Sequence, residues 1–244
     1  MFIDKRRKEI ENLLKENGQA SVKEISKHLS VSEATVRRDL TELKKQGIVQ
    51  RSHGGAVLSM NGSEISIFAR MNENAKEKEL VAYKTMDILP KFNTAFIDSS
   101  STALALFERL DLSFKTVVTN NLQTALTLCK KRDINLILLG GSVKFNSVSS
   151  VGGITLNELS EFHFDLTVCS CSSIKETGAY ETSIEQSKIK QKALQNSDKK
   201  ILVVDNSKFY TSGSFKVASL SEFNYVVTDK KPSEKFLEIS NFIY

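Results

Sequence analysis

Ser32-Glu33-Ala34-Thr35-Val36-Arg37-Arg38-Asp39-Leu40 is the stretch from which the rest of the chain can be read. A serine ahead of an acidic residue marks a helix start. The Ser32 hydroxyl can accept a free backbone N–H of the first turn, and Glu33 suits the positive end of the helix dipole. Val36, Leu40 and Leu43 follow at i, i+4 and i+7 and make one apolar stripe for burial. Thr35, Arg37, Arg38 and Thr41 fall off that stripe. Arginines beside small hydroxyl side chains suit the phosphates and guanine edges of a DNA major groove. Charged helix faces are common, so the neighbouring sequence decides between a DNA contact and a solvated surface.

On the N-terminal side, Ile3, Ile10, Leu13 and Leu14 share a helical face, and Gly18 stops that helix. Ser21 with Glu24 three residues on has capping-box spacing, and Val22, Ile25 and Leu29 form the apolar face behind it. Ser30-Val31 makes a turn, and Gly47 ends the helix that Ser32 begins. Two helices joined by a short turn, the second one basic, form a helix-turn-helix. On the C-terminal side, two short apolar runs, 48–51 and 56–58, flank Ser52-His53-Gly54-Gly55 and predict a β-hairpin. Such a hairpin is a wing, and it would carry Arg51 and His53 to the DNA backbone or minor groove. The candidate DNA-binding residues are therefore Ser32, Thr35, Arg37, Arg38, Thr41, Arg51 and His53. Asp39 is expected to pair with an arginine or a neighbouring helix, not with DNA.

The run 31–56 resembles the winged helix of the DeoR family of bacterial transcription regulators. It carries that family's Ser32, Thr35, Arg37-Arg38-Asp39-Leu40 and Arg51-Ser52-His53-Gly54-Gly55-Ala56. The resemblance implies sequence-specific binding to double-stranded DNA.

Charge distribution agrees. The net charge of the 244 residues is +5, and residues 1–58 hold a net +4 from 12 Lys+Arg and 8 Asp+Glu. The other 186 residues hold 22 and 21, so the excess positive charge sits where a polyanion would be met. Apolar content of 40% and charged content of 26% fit an ordinary soluble protein. Cys129, Cys169 and Cys171 form no disulfide framework or C-x-x-C pair, and Cys169 and Cys171 are expected as buried thiols. His28, His53 and His163 are scattered, so no metal site and no cofactor are expected. A charged N-terminus, Asp4 to Glu9, argues against a secretory signal, and no apolar run approaches the ~20 residues of a membrane span. The expected home is a reduced cytoplasm.

The small polar run 59–63 predicts a boundary, giving a winged helix at 1–58, a linker at 59–75 and a second domain at 76–244. In that domain a helix is expected from Asn72 to about Leu89, closed by Pro90. Strands are expected at 95–98, 116–119, 135–139, 166–171, 200–205 and 225–228. Helices between them, at 102–110, 122–131, 153–162 and 184–196, predict a mostly parallel α/β sheet. The strand ends lead into small polar residues: Asp98 into Ser99-Ser100-Ser101-Thr102, Thr119 into Asn120, Leu139 into Gly140-Gly141-Ser142, Cys171 into Ser172, Asp205 into Asn206-Ser207-Lys208. Open α/β sheets bind ligands at that edge. The candidate effector-binding residues are Asp98, Ser100, Ser101, Thr102, Thr119, Asn120, Gly140, Gly141, Ser172, Glu185 and Lys208. Ser99 to Thr102, opening a helix, is the candidate phosphate cradle, with Lys208 as countercharge. Asp98 would hydrogen-bond a sugar hydroxyl or cap its own turn.

This half also resembles the DeoR effector domain. The matches are Arg70, Lys78, Asp98 with Ser101-Thr102, Thr119-Asn120, Gly140-Gly141, Gly152, Gly178, Lys190 and Asp205-x-Ser207-Lys208-Phe209. The resemblance implies a fold similar to ribose-phosphate isomerases and coenzyme A transferases, a phosphorylated sugar as effector, and homodimers or higher oligomers formed through this domain. Three places depart from the family pattern: Ser100 stands where the family has a glycine, the run Ser170-Cys171-Ser172-Ser173 stands where it carries glycines, and Gln186 stands for a glutamate, with Glu185 beside it. The expected function is a non-enzymatic transcription regulator, a repressor of sugar-metabolism genes under sugar-phosphate control. The alternatives are a regulator that has lost sugar sensing and answers to a protein partner, and a sugar-phosphate isomerase, for which no catalytic residue is marked.

Overall fold

A computed structural model describes residues 3–45, 49–52, 54–58 and 67–244. It divides into two compact units, Met1–Glu73 and Asn74–Tyr244. The first unit runs α1 (Ile3–Asn17), β1 (Gln19–Ser21), α2 (Val22–Leu29), α3 (Glu33–Lys45), β2 (Val49–Ser52), β3 (Gly55–Leu58) and α4 (Ile67–Asn72). Its core is set by the helical stripes: Ile10, Leu14, Ile25, Val36, Leu40 and Leu43 are all 0–1% exposed. Ile3, predicted to share the α1 face, is instead 54% exposed, because it sits at the very start of the helix, beyond the packed stretch. Ser21 closes the α2 capping box with Glu24, and Ser30 ends α2 in the left-handed region. The antiparallel hairpin β2–β3 is extended by β1 on the outer side of β3. Gly54 turns that hairpin at φ +80°. At Gly55 a Cβ would lie 2.3 Å from the Ala20 carbonyl oxygen, so only glycine lets β1 and β3 approach. Gly47, Ile48, His53 and the polar run 59–63 lie outside the described residues. Part of the stretch expected as linker is the helix α4, anchored by the buried Ile67.

The second unit runs α5 (Ala75–Ile88), β4 (Thr94–Ile97), α6 (Ser101–Phe107), β5 (Thr116–Thr119), α7 (Leu122–Leu128), β6 (Asn135–Leu138), β7 (Ser142–Lys144), β8 (Ser149–Val151), α8 (Gly153–Ser160) and β9 (Phe164–Cys169). It continues with β10 (Ser173–Lys175), β11 (Gly178–Glu181), α9 (Ile184–Gln195), β12 (Ser197–Val204), β13 (Phe215–Ala218), β14 (Tyr225–Thr228), α10 (Glu234–Leu237) and β15 (Phe242–Ile243). Seven strands form one sheet in the order β15-β14-β12-β9-β4-β5-β6, and every pairing is parallel. All six strands predicted from sequence are in it. The central ones read as continuous apolar runs because helices cover both faces. Three further elements were not predicted: the β7–β8 hairpin, the small sheet β10-β11-β13, and β15. Strand order reverses between β4 and β9: β4, β5 and β6 grow one way, and β9, β12, β14 and β15 the other. The carboxyl ends of β4 and β9 therefore flank the crevice where open α/β sheets hold ligands. Among the described residues, no helix is long and apolar enough to cross a membrane.

Candidate functional site

The first site is the exposed face of α3. Ser32 accepts the Thr35 N–H at 3.2 Å, so it is the helix cap. Arg37 and Arg38 are both exposed, but they differ in what they do. Arg37 pairs with Glu33 one turn back at 3.2 Å, whereas Arg38 makes no hydrogen bond or ion pair among the described residues. Thr41 and Arg51 both turn toward the backbone of Arg37. Thr41 Oγ1 donates to the Arg37 carbonyl at 2.7 Å, and Arg51 Nη1 lies 3.3 Å from that carbonyl and 3.4 Å from Thr41 Oγ1. Arg51, predicted as a contact of the wing, thus bridges β2 to the recognition helix, while His53 falls outside the described residues. Asp39 is 3% exposed and takes Arg6 at 2.5 Å and Arg7 at 3.4 Å, which ties α3 to α1. The expectation that Asp39 pairs with an arginine on a neighbouring helix is met.

The second site is the carboxyl edge of the large sheet. Asp98, directly after β4, is 1% exposed and fully engaged. Its Oδ1 accepts from the Ser100 N–H at 3.0 Å and the Ser100 hydroxyl at 2.5 Å. Its Oδ2 accepts from the Ser170 N–H at 3.0 Å and from Lys190 Nζ at 2.8 Å. Lys190, from α9, also pairs with Glu181 of β11, and all three side chains are buried. Burial alone would lower the pKa of the Lys190 ammonium, but the carboxylates of Asp98 and Glu181 outweigh it and hold the group above its ordinary value. The Cys169 and Cys171 thiols beside this cluster are buried as expected, and burial pushes Cys171 up to about 12.

The predicted cradle is closed. Ser99, Ser100, Ser101 and Thr102 are 2–7% exposed; Ser100 caps α6 through the Ala103 N–H, and Ser99 donates to Gln186 Oε1 at 3.1 Å. Gln186 Nε2 in turn donates to Ser147 and Ser149. Lys144 on the same hairpin donates to Ser183 at 2.7 Å and to Glu185 at 3.0 Å. The Ser183 hydroxyl, the backbone N–H of Glu185 and Lys144 hold the Glu185 carboxyl down at about 2. Gly140 and Gly141 are committed as well. The Gly140 N–H donates to Glu158 at 2.6 Å and its carbonyl accepts from Thr155 at 2.7 Å. At Gly141 (φ +133°) a Cβ would meet Thr155 Oγ1 at 2.2 Å. Ser172 donates to Glu181 at 2.5 Å. Thr119 is buried and accepts the Asn121 N–H.

What stays open lies on other strand ends. Asn120 donates to the Ser150 carbonyl at 2.9 Å, but its buried Oδ1 has no partner. Asp205 and Asp229 follow β12 and β14, whose last pair is Val204 opposite Thr228, so the two carboxylates continue the register side by side. One oxygen of each, Asp205 Oδ2 and Asp229 Oδ2, is buried without a donor among the described residues. Lys208, half-buried one turn beyond Asp205, makes no side-chain hydrogen bond or ion pair among the described residues. Asp229 directly follows the sixth predicted strand, where the strand-end rule that selects the other candidates also applies. Glu181 had no sequence signal, because β11 was not predicted.

A basic winged helix joined in one chain to a parallel α/β unit is the build of a DNA-binding transcription regulator. Residues 6–61 match the DeoR-like helix-turn-helix domain, and residues 73–230 match the DeoR C terminal sensor domain. The glycerol-3-phosphate regulon repressor of Escherichia coli (strain K12) is 34% identical over 229 residues, covering 93% of this chain and 91% of that protein. The lactose phosphotransferase system repressor of Staphylococcus epidermidis is 31% identical, covering 96% and 95%. The chain belongs to the DeoR family of transcription regulators. Ribose 5-phosphate isomerase A from Methanocaldococcus jannaschii superposes with a TM-score of 0.41 at 14% identity over 56% of this chain and 55% of that one, a likeness too loose to bear on activity.

Proposed function

We propose that this chain is a repressor of sugar-metabolism genes that binds its operator as a dimer and is released by a phosphorylated sugar. In this reading residues 1–58 bind DNA through Ser32, Thr35, Arg37, Arg38 and His53, with Arg51 holding the wing, and residues 76–244 sense and pair. The observation that carries the effector assignment is the pair of buried acceptors without donors among the described residues, Asp205 Oδ2 and Asp229 Oδ2, at the ends of the adjacent strands β12 and β14. A buried acceptor left unpaired costs about 1–3 kcal/mol. A ligand rich in hydroxyl donors relieves that cost, and Lys208 beside Asp205 gives its phosphate a cation. The names of the two related repressors, one of a glycerol-3-phosphate regulon and one of a lactose phosphotransferase system, support the same class of effector. The test is operator binding in the presence of sugar phosphates, their unphosphorylated parents and inorganic phosphate. Only the sugar phosphate is expected to release DNA.

Catalysis is not part of this reading. Asp98 spends both oxygens inside the chain, and Glu185, held at about 2, is too weakly basic to abstract a proton near neutral pH. The closed Ser99–Thr102 turn favours one rival, a regulator answering to a protein partner. Stabilisation of the chain by any sugar phosphate in a thermal-shift screen would reject that rival.

A further inference from the structure

Helix α5 buries one side and exposes the other, where the Arg109 guanidinium lies over the Tyr83 ring, 5.5 Å from its centre. Lys78, Val81, Ala82 and Thr85 are buried, while Lys76, Leu80, Tyr83 and Asp87 are exposed. Ala75 and Met86 are exposed too, to one side; Lys76, Leu80, Tyr83 and Asp87 recur at i, i+4, i+7 and i+11, which on an α-helix confines them to a strip roughly 60° wide. Leu80 is 44% and Tyr83 53% exposed, at the centre of the strip, with Lys76 at one end and Asp87 at the other. The order is cation, apolar, apolar, anion. Leu80 and Tyr83 are centred on the same point of the helix as Lys76 and Asp87, between Val81 and Ala82. A two-fold axis through that point, perpendicular to the helix, lays a second α5 antiparallel on the first. It exchanges Leu80 with Tyr83 and Lys76 with Asp87.

We propose that this face of α5 is a docking surface for a second copy of the chain, paired antiparallel so that Leu80 packs on Tyr83 and Lys76 meets Asp87 twice across the axis. A surface that pairs with itself about a two-fold must be self-complementary, and this strip is so in both charge and polarity. Parallel packing would set like charges against each other. The charges at the strip ends are also unspent: neither Lys76 nor Asp87 makes a hydrogen bond or ion pair among the described residues. The other oppositely charged pair centred on the same point is already committed. Glu79 holds Arg109 at 2.6 Å, and Lys84 donates to the carbonyls of Thr228 and Asp229. The strip falls well short of the ~800 Å² per partner of a stable complex. Pairing through α5 is therefore weak and concentration-dependent in free solution, and it strengthens when two wings bound to one operator raise the effective concentration.

Sedimentation equilibrium of the full chain without DNA tests this, using four proteins: the native chain, Lys76→Glu, Asp87→Lys, and the two changes combined. The native chain should self-associate. Each single change turns two attractions into two repulsions and should raise the dissociation constant roughly tenfold. The combined variant restores opposite charges and should return to near the native value. Leu80→Arg removes the apolar centre and should leave a monomer. A native chain that stays monomeric, single variants that associate as the native chain does, or a combined variant that fails to recover would each overturn the proposal. Matching thermal midpoints confirm that all the variants fold.

Discussion

Arg37 and Arg38 are adjacent, yet among the described residues only Arg37 of the two spends its guanidinium inside the chain, on Glu33. Arg38 is free to read a base. Arg38→Ala is expected to weaken operator binding by about 1–3 kcal/mol while leaving non-specific binding nearly unchanged. Filter or anisotropy titrations on operator and random duplex would separate that from equal losses on both, which mark a phosphate contact. Asp39 serves the opposite purpose. Asp39→Ala leaves Arg6 and Arg7 facing a half-buried gap, and should lower stability by about 1–3 kcal/mol in urea unfolding. At this scale the sequence was most informative where the physics is local. The Ser32 cap, the Ser21–Glu24 box and the Val36–Leu40–Leu43 stripe all follow from spacing alone. It was least informative for Asp98, whose partners Ser170 and Lys190 are remote in sequence and only meet once the sheet is formed.

At the scale of elements, the β7–β8 hairpin and the Lys190 cluster fix the strand edge. Lys190→Met would leave Asp98 and Glu181 buried together with no cation. A loss of about 3–5 kcal/mol is expected, read as a fall in the urea midpoint. The hairpin is tied to α9 through Lys144 and Glu185. Because folding lowers the Glu185 carboxyl from 4.5 to about 2, its contribution is complete above about pH 4.5 and fades as pH falls toward 2. Glu185→Gln should therefore differ from the native chain by a constant amount at neutral pH, and the two should converge on acidification. A gap that stays constant down to pH 2 would contradict the assignment. The seven-stranded sheet was legible because buried parallel strands are apolar runs of ordinary length. The hairpin and the small sheet were not, because three-residue strands such as Ser142–Lys144 and Ser173–Lys175 carry too few side chains to show a period. With them went Glu181 and the reason the Ser99–Thr102 turn is closed.

For the whole molecule, residues 1–58 carry a net +4 of the total +5, and among the described residues the second unit carries the unspent acceptors. Lys208→Ala should bind operator as the native chain does, yet need far more sugar phosphate for release; an unchanged release curve would remove Lys208 from the site. The most direct measurement is fluorescence anisotropy of a labelled operator duplex, selected from random sequence, titrated with the full chain in the presence of a panel of sugar phosphates. The account predicts that at least one lowers operator affinity while its unphosphorylated parent does not. Tight operator binding that no sugar phosphate in the panel alters would contradict it.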